Sequence, residues 1–432
     1  MIILIFLFLN GWSGDFLLDQ NPNSNQYLPH SFQNSICEND FHIIISGYEN
    51  PNWLKSRNFI YFKPFNGVWS PKKIPYDGED FDEHPVILSD KNNFLYIFYQ
   101  RLKKYEPYSI YYQVSESPAN YESFTYPKKI DFGSQKWSEL SLNFVFDNDG
   151  KINLLFSSDS GNSFNIYHAK RINPFYFEIK KISEGGDNIF PQIIKVRDTI
   201  YIFYLKFFSS NSFITLNKLK DVFKENILYS LGDDIKYFFS LPYFNSKIFI
   251  FYTNNESLFF AIYDILTGKI IENREILKYK DIYEINGCCD SLGFVHVFFT
   301  AGCGEESDIF YIYSYGGTNF SELEKLTFTP FSSYSPHSFY SKKEVKIYLF
   351  WTDERDKGLN LPFYSKIYYK FKDVGKLENL AFKPNILKIK RIREVYKNGI
   401  FFDINGRRIL KDFKNGIIFI QENNERIKLI GL

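Results

Sequence analysis

Sulfur and imidazole are scarce in this chain of 432 residues, which holds one methionine, four cysteines and six histidines. So few cysteines in so long a chain exclude a disulfide-dense scaffold. Cys37 stands alone, whereas Cys288, Cys289 and Cys303 lie close in sequence. In an exported chain one bridge from Cys303 to Cys288 or Cys289 is expected, with buried free thiols as the alternative. A zinc site is not expected, since His296, within a strand-like run, is the only imidazole near those thiols. A charge excess is missing too: 51 Lys and Arg face 50 Asp and Glu, a net charge of +1. That balance argues against a nucleic-acid partner. There is no phosphate loop, nucleotide fingerprint or nucleophile elbow. The apolar run at 2–9 is far short of the roughly 20 residues of a membrane-spanning helix, and no later stretch reaches that length.

What the run at 2–9 does suit is the core of a signal peptide, with Gly11 and Ser13 at the spacing a signal peptidase reads. The usual positive leader is absent, because the first basic side chain is Lys55. The expectation is a signal peptide over 1–13 and a mature chain that is secreted or held at the outer cell surface, with no transmembrane span. The chain is rich in aromatics: 48 Phe, 33 Tyr and 5 Trp make 20% of it. Such side chains fit the half-buried faces of β-sheets.

An internal repeat decides the expected fold. Short apolar runs start at 41, 95, 152, 200, 248, 295 and 347, with gaps of 54, 57, 48, 48, 47 and 52. Each run is followed by a polar loop, and a second aromatic run is seen at 59–62, 110–112, 166–167, 309–313 and 367–369. Pro29, Pro85, Pro191, Pro242 and Pro336 precede runs, as if at a turn before another short strand. Four short antiparallel strands per fifty residues, without helical periodicity, is the pattern of a propeller blade. The fold class predicted is all-β: a seven-bladed β-propeller over 14–375, with six blades as the alternative, and a small β-sandwich-like module over 376–432. Residues 27–32 and 334–339 share Tyr-x-Pro-His-Ser-Phe, so 15–20 correspond to the last strand of a blade. They are expected to pair near 367–371 and close the ring.

The segment running from Pro336 through Trp351, Asp353 and Arg355 to Ile367, Tyr368 and Tyr369 resembles the sialidase-like (BNR-repeat) propellers. That family shows Trp-x-Asp-x-Arg followed by an Ile-Tyr-Tyr strand, and Asp-box turns between the third and fourth strands of a blade. Residues 157–164 fit the Asp-box spacing but fall in the wrong hairpin; 314–321 and 66–70 are eroded remnants. The family's catalytic set is three arginines, a Tyr–Glu pair and an Asp. This chain has Leu28, Pro29 and His30 where the first arginine motif would lie, and only Arg57, Arg101, Arg171, Arg197, Arg274 and Arg355 within the ring. No active site is carried over, since fold alone does not confer one. The stretch with Asp403, Gly406, Arg407, Gly416, Phe419 and Arg426 resembles the sorting domain of type IX secretion cargo, which implies the secretion machinery as a partner.

Candidate ligand residues come from the long loops between second and third strands, at 47–58, 101–109, 300–308 and 353–362. They are Trp53, Arg57, Arg101, Tyr105, Asp353, Glu354, Arg355 and Asp356, with Glu305 beside them. Aromatic platforms next to charged hydrogen-bonding groups are how a surface holds a sugar. The competing expectation is that Asp353 and Arg355 bond within their own blade. Asp77, Glu79, Asp80, Asp82 and Glu83 are weak calcium candidates. They follow no EF-hand pattern, so no cofactor is expected. His30, His84 and His337 lie at or beside the repeat prolines, where packing is favoured over metal binding. The function expected is a non-catalytic module binding a glycan or a surface protein. The alternatives are a glycoside hydrolase with a rebuilt site, or a scaffold in a surface assembly.

Overall fold

The apolar runs are strands covered on both faces. In Thr199–Phe208, Phe294–Ala301 and Lys346–Asp353 nearly every side chain is buried. A strand reads as continuously apolar when sheets pack on both of its sides. The strand Lys269–Lys278, at the outer edge of its sheet, instead alternates between exposed and half-buried residues. The computed structural model describes residues 11–374 apart from 19–24, 34–39, 49–55, 65–66, 73, 76–80, 104–107, 119, 131–138, 160–162, 174–175, 210, 220–224, 245, 303–305 and 360–363. Beyond 374 it describes 400–402, 408–409, 417–422 and 426–431.

The chain divides into a unit Ser13–Phe371 and a second unit made of Met1–Trp12 and Lys372–Leu432. In the large unit, strands pair antiparallel in chain order. Asp187–Val196, Thr199–Phe208, Asn211–Lys218 and Asn226–Ile227 form one such four-stranded sheet. Among the described residues five sheets of this unit have four strands, and one has nine. The nine-stranded sheet is joined at its middle by a single parallel pair, Ser56 with Phe81. The first strands of successive sheets touch one another: Asn25–Gln33, Phe81–Ser89, Glu139–Phe146, Asp187–Val196, Tyr237–Tyr243, Ile282–Cys289 and Ser333–Ser341. The last of these touches the first, so the inner strands close a cycle. The architecture is a β-propeller.

The apolar core lies between neighbouring sheets. Val86 and Phe98 of one sheet meet Phe144, Leu154 and Phe156 of the next. Ile194, Phe203 and Leu205 meet Ile248, Ile250 and Tyr263 in the same manner. Aromatic side chains fill these wedges because a flat ring covers a large area at a sheet face. His168 sits in such a wall, its Nε2 3.0 Å from Asn153 Oδ1. Burial, with Lys170 and Lys180 adding to it, pushes its imidazole down to about 4 from 6.5. The unfolded chain therefore takes up this proton first as the pH falls. The contribution of neutral His168 is present in full above the unfolded value and is lost between about 6.5 and 4, up to about 3 kcal/mol. Denaturant titrations across that window are expected to show a shallower acid loss in His168→Asn than in the parent; identical slopes count against the assignment.

The ring closes where the repeat pattern placed it. Phe16 pairs with Tyr369 and Leu17 with Tyr368, and the Leu18 N–H donates to the Ile367 carbonyl at 2.9 Å. The described closing strand is Phe16–Leu17, shorter than 15–20, and residues 19–24 lie outside the described residues. One detail differs from the sequence reading. The prolines lie inside the inner strands, not at turns before them: Pro85, Pro191 and Pro336 each occupy a β-bulge, where the register slips by one residue. A bulge spares proline a missing ladder donor. Pro242 lies in Tyr237–Tyr243 without a bulge. The small C-terminal unit shows one four-stranded antiparallel sheet among its described residues, from Ile400–Phe402, Arg408–Ile409, Ile417–Glu422 and Arg426–Gly431. The leader at 1–10 lies outside the described residues.

Candidate functional site

The inner-strand bulge recurs at one register position. His84, Phe190, Glu284 and Ser335 are its residues with positive φ, between 49° and 54°. Bulky residues adopt this conformation rarely, and such strain gathers where a side chain must be aimed. The bulge lies near the start of each inner strand that has one, at the ring end that also carries the loops between second and third strands. The residue just before the bulge is a tyrosine on two neighbouring strands. Tyr283 stands opposite Thr300 and Tyr334 opposite Thr352. Tyr237 stands opposite Thr253 on the preceding, unbulged strand. Tyr27 occupies the same register position on Asn25–Gln33, opposite Ser46.

Tyr237, Tyr283 and Tyr334 form an arc with carboxylates set into it. Ring centroids of Phe190 and Tyr237 are 5.6 Å apart, and those of Tyr237 and Tyr283 are 6.2 Å apart. All three tyrosines with described side chains are half-buried, so each keeps part of its surface open. Burial pushes the Tyr237 and Tyr283 hydroxyls up; Glu284 pushes both the same way, and a hydrogen bond to Ser307 partly offsets the rise at Tyr283. They are neutral donors at ordinary pH. The Glu284 carboxylate accepts from the Ser335 N–H at 2.7 Å, the Ser335 hydroxyl at 3.1 Å and the Thr300 hydroxyl at 3.2 Å. Burial raises its pKa, and the three donors work against that rise. Glu354 accepts from the Tyr334 hydroxyl at 3.1 Å and lies 3.7 Å from Lys357 Nζ.

The loop candidates are distributed differently from a single cluster. Asp353 is fully buried and accepts from Ser333, from the Trp351 indole N–H at 2.8 Å and from Arg355. Arg355 donates to both of its oxygens, reaches Asp15 at 2.9 Å and lies over the Tyr368 ring at 3.7 Å. These two residues therefore bond locally and tie the closing segment to the last sheet. Arg101 is buried and forks onto Asp82 at 2.6 and 2.9 Å, with its guanidinium 4.5 Å from the Tyr111 ring centroid. Asp82 is thereby a partner of Arg101 within its own blade. Arg57 lies over the Phe59 ring at 4.9 Å. The carbonyl of Asp356 accepts from the Leu359 N–H. Trp53, Tyr105, Glu305, Asp77, Glu79 and Asp80 lie outside the described residues.

Among the described residues no group of three or more His, Cys, Asp or Glu side chains is placed to hold a metal ion. His30 and His337 share a register position just after the bulge, whereas His84 is the bulge residue itself, so the three are not equivalent. Cys288 and Cys289 are free thiols, and burial pushes Cys288 up to about 12. Cys303 lies outside the described residues. Residues 157–164 do join a second to a third strand, as their position in the repeat implied. Among the described residues no helix is long and apolar enough to cross a membrane.

The arc itself was not picked out from the sequence, although a signal existed. Tyr27 and Tyr334 stand two residues before the proline in the two matching Tyr-x-Pro-His-Ser-Phe stretches. Tyr237 and Tyr283 lack that proline signature, and only the strand register brings them into line.

No protein-family model matches the chain, and no curated protein matches it. Among solved structures it is similar to a protein of unknown function from Dyadobacter fermentans DSM 18053, at 8% identity and a TM-score of 0.53 over 84% of this chain and 99% of that one. That is a likeness of fold alone. Further matches are the NanB sialidase from Streptococcus pneumoniae, at 10% identity and a TM-score of 0.44 over 84% of this chain and 71% of that one, and a GH93 α-L-arabinofuranosidase of Fusarium graminearum, at 11% and 0.44 over 69% and 94%.

Proposed function

We propose that the ring is a glycan-binding module whose ligand lies on the tyrosine arc at the bulged end of the inner strands. The observation that carries this reading is the register itself. Tyr237, Tyr283 and Tyr334 occupy one position on three consecutive inner strands, with Glu284 and Glu354 beside them. Half-open aromatic rings take the C–H faces of a sugar, and fixed carboxylates take its hydroxyls. Retention of the full chain on a broad glycan panel tests this, with released sugars followed by mass spectrometry. Tyr283→Ala is expected to weaken retention about tenfold, equivalent to about 1.4 kcal/mol. Phe244→Ala, an exposed ring at the opposite end of its sheet, is expected to leave retention unchanged. Equal retention by Tyr283→Ala and the parent removes the arc as the site.

A hydrolase is the second reading, favoured by one observation: burial raises the Glu284 carboxyl, the direction a general acid requires. Sugar released by the parent and not by Glu284→Gln would establish it. Export completes the proposal. The apolar run at 2–9 would act as the signal peptide core and the C-terminal sheet as the address for a secretion system. Fractionation of a producing cell, with the intact mass of the exported chain, tests both; a chain retained in the cytoplasm at full mass counts against them.

A further inference from the structure

We infer that the tyrosine arc selects uncharged, hydroxyl-rich glycans and rejects those bearing carboxylates; this rests on the glycan reading above. A site that takes an acidic sugar needs cations whose charge is available to the ligand, most effectively a forked arginine. Among the described cations at this end of the ring, five are each committed to a carboxylate of the chain, and Arg57 lies over the Phe59 ring. Arg101 forks onto Asp82, and Arg355 is held between Asp353 and Asp15. Lys206 meets Glu225 at 2.5 Å, Lys236 meets Asp234 at 2.5 Å, and Lys357 lies 3.7 Å from Glu354.

The arc's own carboxylate at the bulge is served differently. Each of Glu284's three hydrogen-bond donors is neutral: one backbone N–H and the hydroxyls of Ser335 and Thr300. No cation is among them. Tyr283 immediately precedes Glu284, and on the next inner strand the Tyr334 hydroxyl donates to Glu354 at 3.1 Å. A ligand laid across these two rings therefore meets two acceptors. Sugar hydroxyls satisfy acceptors by donating to them. A sugar carboxylate has no proton to donate at neutral pH, and it adds like charge at short range. Discrimination of this kind comes from a repulsive group as much as from attractive ones.

The test uses the full chain and two sets of immobilised glycans. The neutral set is mannan, galactan, xylan, arabinan and mixed-linkage β-glucan; the acidic set is polygalacturonate, alginate, hyaluronan and sialyllactose. Retention is expected in the neutral set alone. The best neutral glycan is then compared with its own form oxidised at primary alcohols to carboxylates, at low ionic strength. The oxidised form is expected to bind at least about tenfold more weakly. Glu284→Gln and Glu354→Gln, which keep a hydrogen-bonding group of similar size, are expected to narrow that gap severalfold. Retention concentrated in the acidic set overturns the inference and leaves the glycan reading standing. So does equal binding of the two forms, or a gap unchanged in both variants. Retention of neither set defeats the glycan reading itself, and this inference with it.

Discussion

Replacing Asp353 by alanine is expected to cost the ring roughly 3–5 kcal/mol, read by chemical denaturation. Asp353 is fully buried, and its two oxygens take the Trp351 indole N–H, the Ser333 hydroxyl, and the backbone N–H and guanidinium of Arg355. Removing the carboxylate strips all of them at once. Arg355 would keep Asp15, which also holds Lys370 at 2.9 Å. The loss therefore reaches the closing pair of Phe16–Leu17 with the last sheet. Asp353→Asn retains the shape and part of the hydrogen bonding, so a smaller loss is expected. Neither variant is expected to change glycan retention per folded molecule. A variant with parental stability and lost retention would return Asp353 to the ligand site.

Arg101→Met is expected to destabilise by a similar amount, roughly 3–5 kcal/mol, because it leaves Asp82 buried without its charge partner. Arg101 and Asp82 are both almost wholly buried, and the forked contact is reinforced by the Tyr99 hydroxyl and the Tyr111 ring. The double variant Arg101→Met with Asp82→Leu is expected to recover most of the loss. Replacing a buried pair by apolar groups of similar volume avoids stranding either charge. A double variant no more stable than the worse single one would show that packing against Tyr111, and not charge pairing, dominates.

The period of about fifty residues was legible because it comes from local demands. A strand covered on both faces must be apolar along its length, and the turns around it must be polar. That signature repeats at every unit, as at 152–156, 200–204 and 248–252. Closure was legible for a related reason: residues 16–32 read like residues 326–339, where the last strand of one blade runs into the next inner strand. The prolines were visible, but their meaning was not. Nothing local distinguishes a proline before a strand from one within a bulge; the register with the neighbouring strand decides it.

Polar roles were less accessible still. Arg101 and Arg355 look alike in sequence to arginines that would meet a ligand, each in a long loop beside carboxylates. Their partners decide otherwise: Asp82 is 19 residues away from Arg101, and Asp15 is 340 residues from Arg355. The tyrosine arc is assembled in the same way, from three strands each about fifty residues apart.

By itself, then, the sequence determined the strand class, the repeat and the pairing that closes the ring, since alternation, burial and turn chemistry are written within each short segment. Only the tertiary structure decided which charges neutralise one another and which aromatic rings stand together at the bulged end. An ion pair or a binding surface is a distance between groups on different strands, and such distances are set by register and closure, not by neighbours in the chain.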